Sequence, residues 1–121
     1  MGIFDWLPLF KKEENADEIA KKNYCYHIEG FLSCAYFHAA TDVGDRLTDK
    51  VKDVKIDVSA YMKAQWQDRL NQLQQELKAG YHSTSPFIYE GCSGNELKFV
   101  GGYSDFARLV RDRHRMSVPL D

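Results

Sequence analysis

The sequence predicts an α+β fold: about three helices, followed by a β-hairpin and a C-terminal helix, in a single domain. Three observations carry that prediction. Val58, Met62, Trp66, Leu70, Leu73 and Leu77 step by four, four, four, three and four, which lays one apolar stripe along a helix. Phe87, Ile88 and Tyr89, then Leu97, Phe99 and Val100, flank the glycine-bearing stretch Gly91-Cys92-Ser93-Gly94-Asn95, as two hairpin strands would. Phe106, Ala107, Leu109 and Val110 recur on a last helical stretch that Ser104 can cap and that ends before Pro119.

Taken in order, residues 1–12 form an apolar arm in which Ile3, Phe4, Trp6, Leu7, Leu9 and Phe10 precede Lys11 and Lys12. Such an arm could anchor to a membrane surface or a partner. Folding back onto the protein's own core is the favoured reading, because Pro8 interrupts a clean amphipathic helix. An N-myristoyl motif would need Ser or Thr where Trp6 stands.

Asn15 or Asp17 can cap the next helix, with Glu13, Glu14 and Glu18 near its positive end. Ile19, Ala20, Tyr24, Ile28, Phe31, Leu32, Ala35 and Ala39 carry the helical rhythm to about residue 40. Gly30 weakens it by roughly 1 kcal/mol relative to Ala, and the aromatic density would also suit strands. Helix is the assignment, placed near the centre of the fold because apolar residues ring it. From Thr41 or Asp42, Val43, Leu47, Val51 and Val54 continue at helical steps beside the acidic stripe Asp42, Asp45, Asp49 and Asp53. Arg46, Lys50, Lys52 and Lys55 are interleaved with it, which reads as a solvated face. Val54, Ile56 and Val58 also alternate as a short strand would, a competing assignment. The main helix runs from Asp57 or Ser59 to Gly80, and His82-Ser83-Thr84-Ser85-Pro86 is a loop by composition.

Lys plus Arg is 16 against 18 for Asp plus Glu, a formal charge of −2. That balance argues against bulk nucleic-acid binding, which needs a strong positive field. No run of about 18 apolar residues is present to span a membrane. The N-terminus lacks the basic lead and cleavage site of a secretory signal. Three cysteines, Cys25, Cys34 and Cys92, are too few for a disulfide scaffold, so the expectation is reduced thiols in the cytoplasm.

Three clusters could carry chemistry. Cys25, His27, Cys34 and His38 are zinc-type ligands within fourteen positions. On one helix, however, His27 and His38 would stand too far apart to share an ion. Cys34 and His38 could supply a pair that His82 or Cys92 completes, yet no paired Cys-x-x-Cys motif is present, and core cysteines are the plainer explanation. Cys92, in its glycine-rich turn, is a candidate nucleophile with His82 or His114 as base, against which a plain hairpin turn is the simpler account. Arg108, Arg111, Arg113 and Arg115 gather in the last turns, where Arg108, Arg111 and Arg115 share a face suited to phosphate or carboxylate. Cations at a helix C-terminus also simply complement its dipole. Phosphate loops, paired catalytic carboxylates and dinucleotide fingerprints are missing from the sequence.

The reading these observations favour is a small, non-catalytic protein-binding module, an inhibitor or immunity-like partner of another macromolecule. Trp6, Tyr103, Arg108, Arg111 and Arg115 would form its binding surface, with no metal and no cofactor. Its hairpin edge offers a second copy a place to add a strand. The alternatives are a small cysteine- or metal-dependent enzyme using Cys92 or the Cys34/His38 pair, and a membrane-peripheral protein anchored through residues 3–10.

Overall fold

A computed structural model of the protein describes residues 22–118. The expected apolar arm, Trp6 included, lies outside these residues. The order is β1 (Tyr24–Phe31), α1 (Ala35–Lys50), β2 (Val54–Tyr61), α2 (Lys63–Glu76), β3 (Phe87–Glu90), β4 (Lys98–Gly101) and α3 (Tyr103–His114). A single 3₁₀ turn, Gly94–Glu96, sits between β3 and β4. This corrects the predicted arrangement of helices first, hairpin next and helix last. Strands and helices alternate, and the hairpin is half of a four-stranded sheet ordered β2-β1-β3-β4.

β1 is central. It pairs in parallel with β2, Tyr24 opposite Val54 through Phe31 opposite Tyr61, and antiparallel with β3. Parallel neighbours need a crossover, and α1 supplies it. Tyr26 and Ile28 of β1, with Ile88 of β3, pack under α1 and α3, meeting Phe37, Ala40, Val43 and Leu47 from the first and Phe106, Ala107 and Val110 from the second. On the other face Phe87, Tyr89 and Phe31 meet Trp66, Leu70 and Leu73 of α2. The layers are therefore two helices, a mixed sheet and one helix, each helix burying one stripe.

Two predicted helices dissolve at their boundaries. The stretch from 24 to 31, assigned to a helix, is a strand with helices over both faces, so its burial is nearly continuous rather than alternating. The predicted break at Thr41 falls inside α1, which starts instead after Cys34. The main helix begins at Lys63, and the competing strand at Val54, Ile56 and Val58 is the one that forms. Val58 and Met62, counted into the helical stripe, are exposed.

β1 also carries the one buried charge among the described residues. Glu29 is 3% exposed and faces α2, where Arg69 Nε donates to its Oε1 at 2.8 Å and Arg69 Nη2 to its Oε2 at 2.9 Å. Tyr61 Oη donates to Oε1 at 2.9 Å and Tyr89 Oη to Oε2. Burial pushes the Glu29 carboxyl up, but these donors outweigh it and hold the group below the ordinary carboxylate value. The network fixes α2 to the sheet, and α2 forms one wall of the cavity described next.

Candidate functional site

The site lies where β1 ends and α1 begins. Phe31 closes the strand, Leu32 and Ser33 turn, and Cys34 is the N-cap of α1, with extended backbone at φ −92° and ψ 119°. Its N–H donates to the Phe31 carbonyl at 3.0 Å, and its own carbonyl accepts the His38 N–H at 3.3 Å. Cys34 is a free thiol, partly exposed. The Sγ faces the loop before β3, where it donates to the Ser85 carbonyl at 3.4 Å. The Ser85–Pro86 peptide bond is cis. Ser85 Oγ in turn accepts the Phe31 N–H at 3.3 Å, so strand end, helix start and loop are tied at one point.

Gly30 makes that knot possible. A Cβ there would stand 2.5 Å from Ser85 Oγ and 2.6 Å from Phe37 Cδ1, closer than a carbon can approach either. Phe37 itself is 2% exposed and anchors the first turn of α1 to the core. Cys34-Ala35-Tyr36-Phe37 thus presents one thiol, the position three residues on being filled by an aromatic ring rather than a second sulfur.

Open space lies beside the thiol, and a second hollow adjoins its neighbours. A cavity of about 480 Å³ is lined by Cys34, Phe31, Tyr36, Lys63, Trp66 and Ser85. Beyond Tyr36, Thr84 and Ser85 a second hollow of about 310 Å³ reaches Pro86, Gly102, Tyr103 and Asp105 at the start of α3. There Gly101 has φ +138°, and a Cβ on it would overlap the Asp105 side chain. The Asp105 carboxylate accepts the Gly102 N–H at 3.3 Å. Leu32, Tyr36 and Met62 are the exposed large apolar side chains nearest the thiol in sequence and sheet pairing. Lys63 and the first turn of α1 lend the larger cavity positive potential.

The predicted site residues fall in several places. Tyr103 is buried and lines the smaller hollow beside Tyr36, their ring centroids 6.0 Å apart. Arg108 pairs with Asp105 at 3.5 Å, Arg111 with Asp112 at 3.2 Å, and Arg115 is the left-handed residue that ends α3. The metal ligands considered do not converge. His27 is on β1, His38 Nε2–H donates to the Leu32 carbonyl, and His82 Nε2–H donates to the Pro86 carbonyl at 3.0 Å. Among the described residues no three His, Cys, Asp or Glu side chains are grouped to hold a metal. Cys92, the candidate nucleophile, is joined to Cys25 in a disulfide, and His114, its candidate base, is 2.7 Å from Tyr26 Oη. The expectation of three reduced thiols is corrected accordingly.

The sequence offers Cys34 in mid-helix, as a core cysteine, a zinc-type ligand or half of a Cys34/His38 pair in a small enzyme. Its position at a helix start, and the roles of Tyr36, Lys63, Trp66 and Ser85, went unseen. The available signal was the aromatic run 24–31 read as a strand, which would have left Cys34 at the head of the following helix.

The fold resembles solved glutaredoxin structures. The Escherichia coli glutaredoxin structure aligns over 76% of this chain and 99% of its own, with a TM-score of 0.55 and 22% identity. Glutaredoxin 1 from Francisella tularensis, crystallised with cacodylate, aligns over 77% of this chain and 99% of its own, with a TM-score of 0.54 and 15% identity. The likeness is one of fold: a four-stranded mixed sheet with three helices, the thioredoxin-like arrangement. No family model matches the chain, and no curated protein matches it. The predicted non-catalytic inhibitor or immunity-like binder does not stand. It rested on missing motifs, on aromatic anchors and on the arginine cluster, and the fold is instead the one found in glutaredoxins, with Cys34 a free, partly exposed thiol.

Proposed function

We propose that the protein is a thiol–disulfide exchange enzyme acting through Cys34 alone. The observation that carries this reading is the placement of a free, partly exposed thiol at the head of α1, against the Ser85 carbonyl and open to a cavity of about 480 Å³. The fold shared with two glutaredoxins supports it.

The chemistry follows from the single sulfur. The Cys34 thiolate attacks one sulfur of a substrate disulfide, forming a mixed disulfide and releasing the other sulfur as a thiolate that takes up a proton. Cys34 is the N-cap of a sixteen-residue helix, so negative charge on its sulfur would lie near the positive end of that helix's dipole. With Phe37 three residues on, no neighbouring thiol can resolve the intermediate, so an outside thiol attacks it and frees Cys34. The name of the structural neighbours points to glutathione as that thiol. Lys63 on the cavity wall suits a carboxylate-bearing thiol.

A protein disulfide would be met by the exposed Leu32, Tyr36 and Met62, which makes another protein a partner in passing rather than a target of inhibition. We place the activity in the cytoplasm, where small thiols are abundant. Among the described residues no helix is long and apolar enough to cross a membrane.

The test is turnover. Protein added to a small mixed disulfide and reduced glutathione should speed the appearance of oxidised glutathione, and Cys34→Ser should return the rate to that of the buffer. A Cys34→Ser variant as fast as the parent chain would overturn the proposal.

A further inference from the structure

Two of the three cysteines stand apart from Cys34. Cys25 is the second residue of β1, Cys92 lies in the turn after β3, and a disulfide joins them. Six residue steps at about 3.3 Å each lead from Cys25 to Phe31, so the bond lies on the order of 20 Å from the end of the sheet that holds Cys34. It cannot serve Cys34 as a resolving thiol while the sheet is intact.

Its surroundings allow it chemistry of its own. Cys25 is buried, but Cys92 is exposed. Both line a polar cavity of about 540 Å³ with Lys22, Glu90, Lys98 and Arg113. Arg113 and Glu90 are paired with each other at 2.6 Å, and Lys22 Nζ donates to the Lys52 carbonyl at 2.7 Å, so with Glu96 also on the wall Lys98 and the Lys22 charge are what meets an incoming carboxylate. The strands here are held without the sulfur bridge. Gly91 N–H donates to the Cys25 carbonyl at 2.8 Å, and His27 Nε2–H donates to the Gly91 carbonyl at 2.8 Å. Tyr26 and Glu90 continue the ladder beside them. Breaking the bridge removes none of these bonds, so one fold accommodates the dithiol and the disulfide.

We propose that Cys25 and Cys92 form a second, independent thiol–disulfide site, opened and closed by a low-molecular-weight, carboxylate-bearing thiol that enters at Cys92. The outside thiolate attacks Cys92 Sγ, because Cys92 is the exposed residue of the pair and Cys25 the buried one. The Cys92–Cys25 bond breaks, and Cys25 leaves as a thiolate and takes up a proton. A second outside thiolate attacks the outer sulfur of the mixed disulfide, forming the small disulfide and releasing Cys92, which is protonated in turn. Two outside thiols become one disulfide while the protein gains two electrons and two protons. The small disulfide runs the sequence backwards.

The test uses the full chain carrying Cys34→Ser, so that its failure leaves the role of Cys34 untouched. The oxidised variant is exposed to reduced glutathione without denaturant, and free thiols are trapped with a maleimide and counted by intact mass. Two alkylated thiols should appear, the far-ultraviolet circular dichroism should stay the same, and oxidised glutathione should return the count to zero. In Cys25→Ser/Cys34→Ser, oxidised glutathione should leave one stable adduct, on Cys92. A bridge that yields thiols only in denaturant, a pair that oxidised glutathione never rejoins, or a Cys92 that takes no adduct would each overturn the proposal.

Discussion

Glu29 shows what a single side chain does here. Its carboxylate is buried, and the Arg69 guanidinium, held above its ordinary pKa first by the hydrogen bonds to Glu29, is its only charged partner among the described residues. Removing Arg69 would strand a buried charge, so Arg69→Ala should cost about 3–5 kcal/mol, read as a shift in the urea midpoint. The pH dependence has a fixed sign. A carboxyl depressed below its ordinary value of 4.5 contributes stability that is complete above that value and lost as pH falls through the lowered folded value. The parent chain should therefore lose more stability between neutral and strongly acidic pH than Glu29→Gln does. Equal losses would remove Glu29 from the account. Gly30, the next residue, is as constrained for a steric reason. Gly30→Ala forces a methyl against Phe37 and Ser85, which should cost about 1–3 kcal/mol and slow exchange at Cys34, since both groups set its position. Thermal unfolding and the exchange rate of that one variant check both.

The start of α1 and the wall formed by α2 explain how much of this could be read in advance. The hairpin and the last helix were legible, because Phe87-Ile88-Tyr89 is a short apolar run beside glycines and the stripe of α3 is intact. β1 was not, because helices cover both its faces. Tyr26 and Ile28 are buried on one side and Glu29 on the other, and the spacing of Tyr24, Ile28 and Leu32 fits a helix equally well. α1 gave no start signal: its N-cap is a cysteine without a capping hydrogen bond, and its first turn holds no acidic residue. β2 was visible as an alternation but was absorbed by the stripe that follows, since Val58 and Met62 happen to extend the helical count. The site shared the fate of β1, for a cysteine in mid-helix says nothing and a cysteine at a helix head says a good deal. Trp66 of α2 belongs to core and cavity alike, at 5% exposure. Trp66→Ala should lower stability by about 3–5 kcal/mol and loosen the cavity wall. A midpoint of unfolding unchanged from the parent would contradict the packing described.

The molecule holds its free thiol and its disulfide at opposite ends of the sheet. Cys34 stands at one end of the sheet beside apolar surface and Lys63, while Cys25 and Cys92 close the other end beside a polar cavity. The sheet, braced by α1 and α3 on one face and α2 on the other, keeps the two centres from meeting. That separation fits the proposed exchange through one sulfur at the cleft, with small thiols from solution completing each turn. The most direct measurement is the site of first attack. Protein carrying Cys25→Ser, in which Cys34 and Cys92 are both free thiols, mixed briefly with a glutathione mixed disulfide, quenched in acid and mapped by peptide mass spectrometry should carry its adduct on Cys34 well before any appears on Cys92. An adduct that gathers on Cys92 first, or a Cys34 still unmodified when the reaction is complete, would contradict the account.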